Sequence, residues 1–458
     1  MAKFISAVAS FLGLFLIIIS CGAGPKSNAQ EIVTGKVYPK IVCPADTNQS
    51  YSLFLPANYD KNIPCPVLVL FDSHGNGLLP VNLFSTDASK SGFIVAGSNN
   101  SKNGMPMEQT TAIYRNLLTD LEKRFNIEKK AIYLGGFSGG SRVAAAAAIT
   151  EGGVAGVVGC GAGFPNLNQK PKTEFSYLAV VGNQDFNLTE MQQLDENLEV
   201  AGYKHHLLTF EGIHQWPPKE FIPEIFTWFR FDAMRQKSIA DNRSEINRFN
   251  EQNDKIASDL VTQNKLPEQQ EIYLKMVHYL NGLTDVSPLL SEIKRLDNET
   301  SVVAFHQQQK ELKEIEQGLQ QKYLPEIEQL DEVWWKKEAA KLHSLSEEPK
   351  NPELGAMYKR LLGSLSLSCY MYSNAALKQG DLAGATKYIE IYSLVDPTNA
   401  EHRYMAAKVA ALQGNTDAVF SALIKAIELG FSDFNRLNSD FKSYQNDERF
   451  TKLQFVKK

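Results

Sequence analysis

Short apolar runs alternate with helical segments in the first half of the chain, and this alternation restricts the fold more than any other feature. From residue 66 onward most runs are continuous apolar stretches, as expected for strands buried on both faces. Strands alternating with helices predict a mostly parallel sheet flanked by helices. The first two runs, joined by residues 44–48, are better explained as an antiparallel hairpin at the sheet edge. The predicted strands are residues 33–43, 51–55, 66–71, 93–97, 131–136, 154–159, 177–182 and 205–210, and the predicted helices are residues 107–125, 141–151, 189–201 and 223–235.

The second half is predicted to be almost entirely helical. Residues 233–350 are rich in Gln, Glu, Lys and Asn and carry apolar residues at helical spacing. Residues 307–345 predict one long helix, interrupted or kinked at Pro325 because proline lacks a backbone donor. Trp334 and Trp335 need a packing partner, so this segment is expected to fold onto another part of the protein. The 458 residues exceed one ordinary core, and we divide them into 1–20, 21–232, 233–350 and 351–458.

Beyond residue 350 the sequence contains a repeat. The turns at 380–381 and 414–415, Gly-Asp and Gly-Asn, lie 34 residues apart, each within a helix–turn–helix pattern. Ala385 and Ile389 occupy the small and large apolar positions of a tetratricopeptide unit, which this segment resembles. The resemblance implies a surface for peptides or partner proteins. The alternative is that these helices cover the sheet domain and shape its entrance.

The start of the chain predicts export. An apolar run over residues 11–19 follows Lys3 and is too short to cross a bilayer, but it fits the hydrophobic part of a signal peptide. The tetrad Ile18-Ile19-Ser20-Cys21 resembles a bacterial lipobox, whose cysteine is lipidated and becomes the mature N-terminus. This implies a protein of the periplasm or outer membrane, attached to the membrane only by lipid at Cys21. Plain cleavage by the other signal peptidase is the alternative.

Charge and cysteine content add two expectations. The 47 Lys and Arg against 52 Asp and Glu give a net charge of -5, without the basic excess typical of nucleic-acid binding. Cys43 and Cys65 flank early strands and are candidates for a disulfide in an oxidising periplasm, but the sequence leaves their pairing open. Cys160 and Cys369 lie in apolar stretches and are expected to be small buried hydrophobic residues.

The strongest chemical signal is the segment Gly136-Phe137-Ser138-Gly139-Gly140. It follows an apolar strand and precedes an alanine-rich helix, which is the setting of a nucleophile elbow. The turn strains the backbone of its serine, so the residues two before and two after must be small. The helix that follows favours negative charge at its N-terminus. We therefore predict Ser138 as a nucleophile, with a glycine-rich turn of no chemical role as the alternative.

A serine nucleophile requires a base, and His214 is the best placed of the eight histidines. It lies after the last predicted strand, in a loop closed by two prolines. Asp185 follows the preceding strand and is expected to orient the imidazole and to stabilise its protonated form, with Glu211 as second choice. The order Ser138, Asp185, His214, each after its own strand, is that of α/β hydrolases. A structural loop histidine is the alternative for His214.

Two backbone N–H groups are expected to bind the oxyanion that forms during acyl transfer. One belongs to Gly139, directly after the nucleophile. The other is expected from the loop at residues 72–77, where Ser73, His74 and Asn76 are candidates and His74 is preferred. The polar residues 98–104 follow the next strand and are expected either to line the pocket at the same sheet edge or to form a solvated loop.

Residues 45–232 resemble the esterase and polyhydroxyalkanoate-depolymerase branch of α/β hydrolases. The similarity rests on the entry at 51–59 (YSLFLPANY), the elbow at 136–140 (GFSGG) and the ending at 212–218 (GIHQWPP). It implies hydrolysis of small or polymeric carboxylic esters through an acyl-enzyme, without a metal or organic cofactor. Two alternatives stay open: a serine peptidase on the same scaffold, and a non-catalytic adaptor lipoprotein that binds partners through its tetratricopeptide-like region.

Overall fold

The computed structural model describes residues 32–164, 169–453 and 455. The described helices and strands lie in one compact unit, residues 34–458. The predicted signal segment at 1–20 and the lipidation site Cys21 lie outside the described residues. None of the helices in the described ranges combines the length and apolarity needed for a membrane span.

Eight strands in the described part of the chain form one sheet. They are β1 (Val37–Cys43), β2 (Asp46–Phe54), β3 (Cys65–Phe71), β4 (Ile94–Ser98), β5 (Ile127–Phe137), β6 (Gly156–Cys160), β7 (Ser176–Gly182) and β8 (His205–Phe210). Their order in space is β1-β2-β4-β3-β5-β6-β7-β8. β2 pairs antiparallel with β1 and β4, whereas the other neighbouring strands are parallel. This order with one reversed strand is the α/β-hydrolase fold, and it confirms the predicted fold class and the hairpin at the sheet edge.

Helices cover the sheet and explain why its central strands are apolar. These helices are α1 (Leu78–Ser91), α2 (Met107–Arg124), α3 (Gly139–Glu151), α4 (Leu188–Val200) and α5 (Ile222–Arg235). With both faces covered, every residue of β4, β6 and β7 is buried. Helix α1 is absent from the sequence prediction. Its signal was present, because the buried residues Val81, Phe84 and Ala88 follow one another at helical spacing.

The rest of the described chain is helical, which confirms the prediction of an all-α region after the sheet. Its helices are α6 (Arg243–Thr262), α7 (Leu266–Leu280), α8 (Ser287–Leu296), α9 (Thr300–Gln329), α10 (Glu332–Ser346), α11 (Pro352–Gln379), α12 (Leu382–Val395), α13 (Ala400–Leu412), α14 (Thr416–Glu428), α15 (Phe434–Asp440) and α16 (Glu448–Leu453). The domain boundary predicted at residue 232 falls inside α5, and the boundary at 350 falls between α10 and α11.

The long helix predicted over residues 307–345 is two helices, but the break is not at Pro325. That proline lies inside α9, and the interruption comes at residues 330–331. Asp331 starts α10 by accepting a hydrogen bond from the Trp334 N–H at 3.0 Å. Trp335 has no exposed surface and lies in a hydrophobic cluster with Leu361 and Leu365 of α11, so this segment folds onto another part of the protein, as expected.

The repeat region forms two successive helix pairs, α11 with α12 and α13 with α14. Each pair turns at a glycine in the left-handed region, Gly380 with φ 76° and Gly414 with φ 73°. The next residues, Asp381 and Asn415, cap α12 and α14 through their side chains. The small and large positions of the repeat are both buried, Ala385 at 0% exposure and its partner Ile389 at 6%.

The disulfide considered between Cys43 and Cys65 is not formed, and both residues are free and buried. β1 and β3 are separated by β2 and β4, so three strand spacings, roughly 14 Å, lie between them. Cys43 also ends β1 whereas Cys65 begins β3, which places the two residues at opposite edges of the sheet. A disulfide tolerates Cα atoms no more than about 7 Å apart. Cys160 and Cys369 are buried free thiols, as expected.

Candidate active site

The structure brings Ser138, His214 and Asp185 together at the carboxyl edge of the sheet. Each follows the end of a different strand: β5, β8 and β7. The His214 Nε2 atom lies 3.0 Å from the Ser138 Oγ atom. The His214 Nδ1 atom lies 2.9 Å from each carboxylate oxygen of Asp185. These contacts join residues 76 and 29 positions apart in the chain, so only the sheet order can create them.

The turn at Ser138 has the strained backbone expected of a nucleophile elbow. Ser138 adopts φ 55° and ψ -121°, and its N–H donates to the Cys160 carbonyl at 2.8 Å. A Cβ atom at Gly136 would overlap the backbone of Gly140, and one at Gly140 would overlap the carbonyl of Phe71. Both glycines are therefore required by close backbone approach. The strain holds the hydroxyl above the N-terminus of α3.

The imidazole of His214 is held between two aromatic rings. Phe137 lies at a ring-centroid distance of 4.6 Å and Phe186 at 4.3 Å. The His214 side chain is 20% exposed, whereas Asp185 is fully buried. Solvent and small molecules can therefore reach the imidazole of His214 but not the carboxylate of Asp185 behind it.

The loop that carries Asp185 is tied to the loop that carries His214. The Asn183 N–H donates to the Phe210 carbonyl at 2.8 Å, and the Gln184 N–H donates to the Gly212 carbonyl at 2.9 Å. In return the Gly212 N–H donates to the Asn183 side chain at 3.1 Å. The Asn187 N–H donates to Asp185 Oδ1 at 2.8 Å, which orients the carboxylate. Asp185 and His214 are thus held in a fixed relative position.

The backbone N–H groups of the loop at residues 72–77 favour a candidate oxyanion donor other than His74, the residue preferred in the sequence prediction. The His74 N–H donates to Asp72 Oδ1 at 2.9 Å, and the Asn76 N–H approaches the same oxygen at 3.4 Å. Both groups are committed to the Asp72 carboxylate, because it folds back over its own loop. Among the described residues, the N–H groups of Ser73 and Gly139 have no protein acceptor. Of the three candidates, Ser73 is therefore the one left to act with Gly139.

Asp72 also joins this loop to the loop of the base, a contact absent from the sequence prediction. Asp72 is 4% exposed, and its Oδ2 atom accepts the indole N–H of Trp216 at 3.1 Å. Trp216 lies two residues after His214, and its ring packs on Phe84 and Phe137. An Asp directly after a strand and a Trp near the candidate base were the available signals.

The polar loop at residues 98–104 lies against the elbow. The Asn103 N–H donates to the Ser73 carbonyl at 2.9 Å, and Lys102 pairs with His74 as a short antiparallel bridge. A Cβ atom added at Gly139 would overlap the side-chain amide of Asn103. This amide therefore lies beside the candidate oxyanion donors and is placed to contact a bound substrate.

Glu211, the second choice for the carboxylate that orients His214, is exposed, whereas Asp185 is fully buried. Within residues 32–164, 169–453 and 455, no group of three or more His, Cys, Asp or Glu side chains is arranged to hold a metal ion.

Comparisons with known proteins find similarity in structure only. No protein-family model matches the sequence, and the curated proteins contain no significant match. Three solved structures illustrate the similarity. An esterase from the archaeon Pyrobaculum calidifontis is 15% identical, with 43% of this chain and 86% of that chain covered and a TM-score of 0.36. An S-formylglutathione hydrolase from Staphylococcus aureus is 16% identical, with 43% and 99% covered and a TM-score of 0.36.

The third structure is esterase B from Lactobacillus rhamnosis inhibited by a tributyrin phosphonate. It is 17% identical, with 46% of this chain and 90% of that chain covered and a TM-score of 0.38. At such low identities and TM-scores, these similarities say nothing about the substrate or activity of this chain. The α/β-hydrolase fold is assigned from the strand order of the sheet itself.

Proposed function

We propose that this protein is a serine hydrolase that cleaves carboxylic esters through an acyl-enzyme. The observation that carries the proposal is the hydrogen-bonded chain from Ser138 Oγ through His214 to Asp185, with distances of 3.0 Å and 2.9 Å. A serine is a poor nucleophile unless a base removes its proton, and the Nε2 atom of His214 is within reach to do so.

In the acylation step Ser138 Oγ attacks the ester carbonyl carbon while its proton moves to His214 Nε2. The buried carboxylate of Asp185 stabilises the imidazolium through the Nδ1–H. The Gly139 and Ser73 N–H groups donate to the oxyanion, at the N-terminus of α3, where negative charge is favoured. Collapse of the tetrahedral intermediate breaks the bond to the alkoxy oxygen, which takes the proton from His214 and leaves as an alcohol.

Deacylation repeats these steps with water. Water loses a proton to His214 Nε2 and attacks the acyl carbon, and the same two N–H groups bind the second oxyanion. Ser138 Oγ then leaves with the proton from His214, which releases the carboxylic acid and restores the enzyme.

The test is labelling of the purified protein with a fluorophosphonate probe, together with turnover of p-nitrophenyl acetate. Wild type is expected to label, and Ser138→Ala and His214→Ala are expected to lose turnover by about 10³-fold or more. Ser85→Ala and His306→Ala serve as matched controls, because both residues are bonded away from the site. Absence of labelling in folded wild type would contradict the proposal and favour the adaptor alternative. Faster turnover of peptides than of esters would favour the peptidase.

We also propose that the helices from residue 351 onward form a tetratricopeptide-like surface for a partner protein. The proposal is supported by the two helix pairs, their matched glycine turns and the buried Ala385 and Ile389. A groove of about 350 Å³ between α12 and α13, lined in part by Ile389, His402 and Arg403, offers space for a peptide side chain.

For the cellular location we propose an exported lipoprotein of the periplasm or outer membrane, lipidated at Cys21. The support is the apolar run at residues 11–19 followed by the lipobox-like tetrad. In cells fed an alkyne fatty acid, wild type is expected to incorporate it and Cys21→Ser is not. Incorporation by Cys21→Ser would contradict lipidation at this position.

A further inference from the structure

A buried ion pair of the helical region lies directly against the candidate active site. Glu316 belongs to α9 and Arg360 to α11, and their side chains are 1% and 8% exposed. The Arg360 Nε atom donates to Glu316 Oε2 at 2.8 Å, and its Nη2 atom lies 2.7 Å from the same oxygen. The guanidinium is therefore fixed in orientation from the helical side.

The remaining terminal nitrogen of Arg360 reaches out of the helical region. Its Nη1 atom donates to the backbone carbonyl of Asn183 at 2.8 Å. Asn183 lies two residues before Asp185, and its side chain accepts the N–H of Gly212, two residues before His214. One hydrogen bond from α11 thus holds the point where the loop of Asp185 is bonded to the loop of His214.

One turn further along α11, a second contact supports His214 through a neighbouring aromatic ring. Gly363 lies against Phe186, and a Cβ atom at this position would stand 3.1 Å from Phe186 Cδ1. The ring of Phe186 in turn packs on the His214 imidazole at 4.3 Å. α11 therefore supports Asp185 through Arg360 and His214 through Phe186.

Stability alone is a poor reason for this arrangement. Removing two charges from water is costly, and buried ion pairs are often no more stable than apolar residues of similar size. Burial raises the pKa of Glu316 even though Arg360 opposes the shift, and the Glu316 Oε1 atom has no hydrogen-bond partner among the described residues. The pair instead fixes the orientation of Arg360. Because the guanidinium is planar and two of its nitrogens bind Glu316, its third nitrogen can donate only in the direction of the Asn183 carbonyl.

We propose that Arg360, fixed by Glu316, is a positioning residue for the candidate active site, so that α9 and α11 are part of the catalytic support. The proposal rests on the proposed serine-hydrolase function. Asp185 and His214 must stay aligned to within a fraction of an ångström for proton transfer from Ser138. Without the bond from Arg360, the carbonyl of Asn183 loses its hydrogen-bond donor, and the loop that carries Asp185 becomes more mobile.

The test compares two double variants of the full chain. Glu316→Gln with Arg360→Met removes the pair without leaving a buried unpaired charge. Glu401→Gln with Arg436→Met removes a second Arg–Glu pair of the helical region, whose Nη1 and Oε1 atoms lie 2.6 Å apart. Among the described contacts, this pair has none with the loops of Asp185 and His214. With p-nitrophenyl acetate, the first is expected to lower kcat about 10- to 100-fold with KM changed little. The second is expected to match wild type.

The single variant Arg360→Lys should recover part of the lost kcat, because an ammonium can reach one of the two acceptors but not both. Gly363→Ala provides an independent arm should the charge variants fail to fold. It crowds Phe186, and its kcat is expected to fall, whereas Gly318→Ala in α9 places its methyl group in open space and should leave kcat unchanged.

A spectroscopic readout separates this proposal from the proposed function. The downfield proton resonance of His214 Nδ1–H, identified by its loss in His214→Ala, reports the bond to Asp185 whether or not the protein turns over an ester. We expect it to shift or broaden in Glu316→Gln/Arg360→Met and to persist in Glu401→Gln/Arg436→Met. Unchanged kcat and an unchanged resonance in the first variant would overturn the positioning role. A wild type that shows the resonance but neither labels nor turns over would overturn the proposed function alone.

Discussion

The contact between Asp72 and Trp216 yields a prediction whose size follows from the hydrogen bonds. Trp216→Phe keeps an aromatic ring beside Phe84 and Phe137 but removes the indole N–H that donates to Asp72 Oδ2 at 3.1 Å. Because Asp72 is 4% exposed, this oxygen is left without a donor. A buried hydrogen bond to a charged group contributes about 1.5–3 kcal/mol to the free energy of unfolding, and we expect a loss of that size.

Asp72→Asn disturbs the same contact from the other side. One oxygen remains, and it can serve either the His74 N–H or the Trp216 N–H, so in each orientation an NH₂ group faces a donor. The cost is about 1–3 kcal/mol for the unsatisfied group. In the double variant Asp72→Asn/Trp216→Phe, the amide NH₂ group faces a phenyl ring instead of an indole N–H, so two donors no longer face each other. The double variant is therefore expected to lose about 1–2 kcal/mol less than the sum of the single losses.

The measurement is urea unfolding followed by circular dichroism, for wild type, both single variants and the double variant. Trp334→Phe is the matched control, because Trp334 is half-buried and its indole N–H has no acceptor among the described residues. It should cost less than Trp216→Phe. Additivity of Asp72→Asn and Trp216→Phe within about 0.5 kcal/mol would refute the claim that these side chains share a hydrogen bond. Because Asp72 also binds the backbone of the loop at residues 72–77, which carries the candidate oxyanion donor Ser73, we expect both single variants to lower kcat for p-nitrophenyl acetate.

Three further predictions concern the sheet domain. Gly140→Ala should destabilise the fold by about 1–3 kcal/mol or more in urea unfolding, because its Cβ atom would overlap the Phe71 carbonyl. Cys43 and Cys65 should resist iodoacetamide at pH 8 in the native protein and react quickly in urea, as mapped by mass spectrometry, because burial raises the pKa of each thiol to about 11. Burial holds the pKa of His206 well below its usual value, so unfolding binds a proton below about pH 6.5 and stability should fall as pH falls through that range, by up to about 1.4 kcal/mol per pH unit.

Each of these has a control and a contradicting result. Gly318→Ala, with open space around its Cβ, should not destabilise the protein, and equal effects of the two glycine variants would refute the steric argument. Rapid native alkylation of Cys43 or Cys65 would show that these thiols are accessible. His206→Phe should flatten the acid side of the stability profile, and an unchanged slope would show that His206 is not the group that titrates.

Much of the sheet domain could be predicted because its signals are local. A run such as residues 177–182, apolar at every position, is compatible with a buried strand, and the predicted bounds differ from β7 by one residue. The elbow is equally local, since Gly136 and Gly140 report the crowded backbone around Ser138. The order of Ser138, Asp185 and His214 after three parallel strands placed them at one edge before any distance was known.

The differences from the sequence prediction have two physical sources. Some come from side-chain hydrogen bonds within short turns, and others from contacts between segments that are distant in the chain. The preference for His74 over Ser73 was decided by where the Asp72 carboxylate folds, and one residue of register separates the two. The break of the long helix came at residues 330–331 because Asp331 caps a new helix, while Pro325 was tolerated inside α9. The contribution of Arg360 had no local signal, because a charged residue in a polar helical region looks solvated until its partner is known.

The sequence by itself determined the strands, most of the helices around them and the three residues of the candidate site. Apolar periodicity and glycine placement act within a few residues, so they can be read along the chain. The tertiary structure alone decided that Asp185 lies 2.9 Å from His214, that Asp72 accepts a hydrogen bond from Trp216, and that α11 contacts the loop of Asp185. These are contacts between segments up to 177 residues apart, and their geometry depends on how the layers pack.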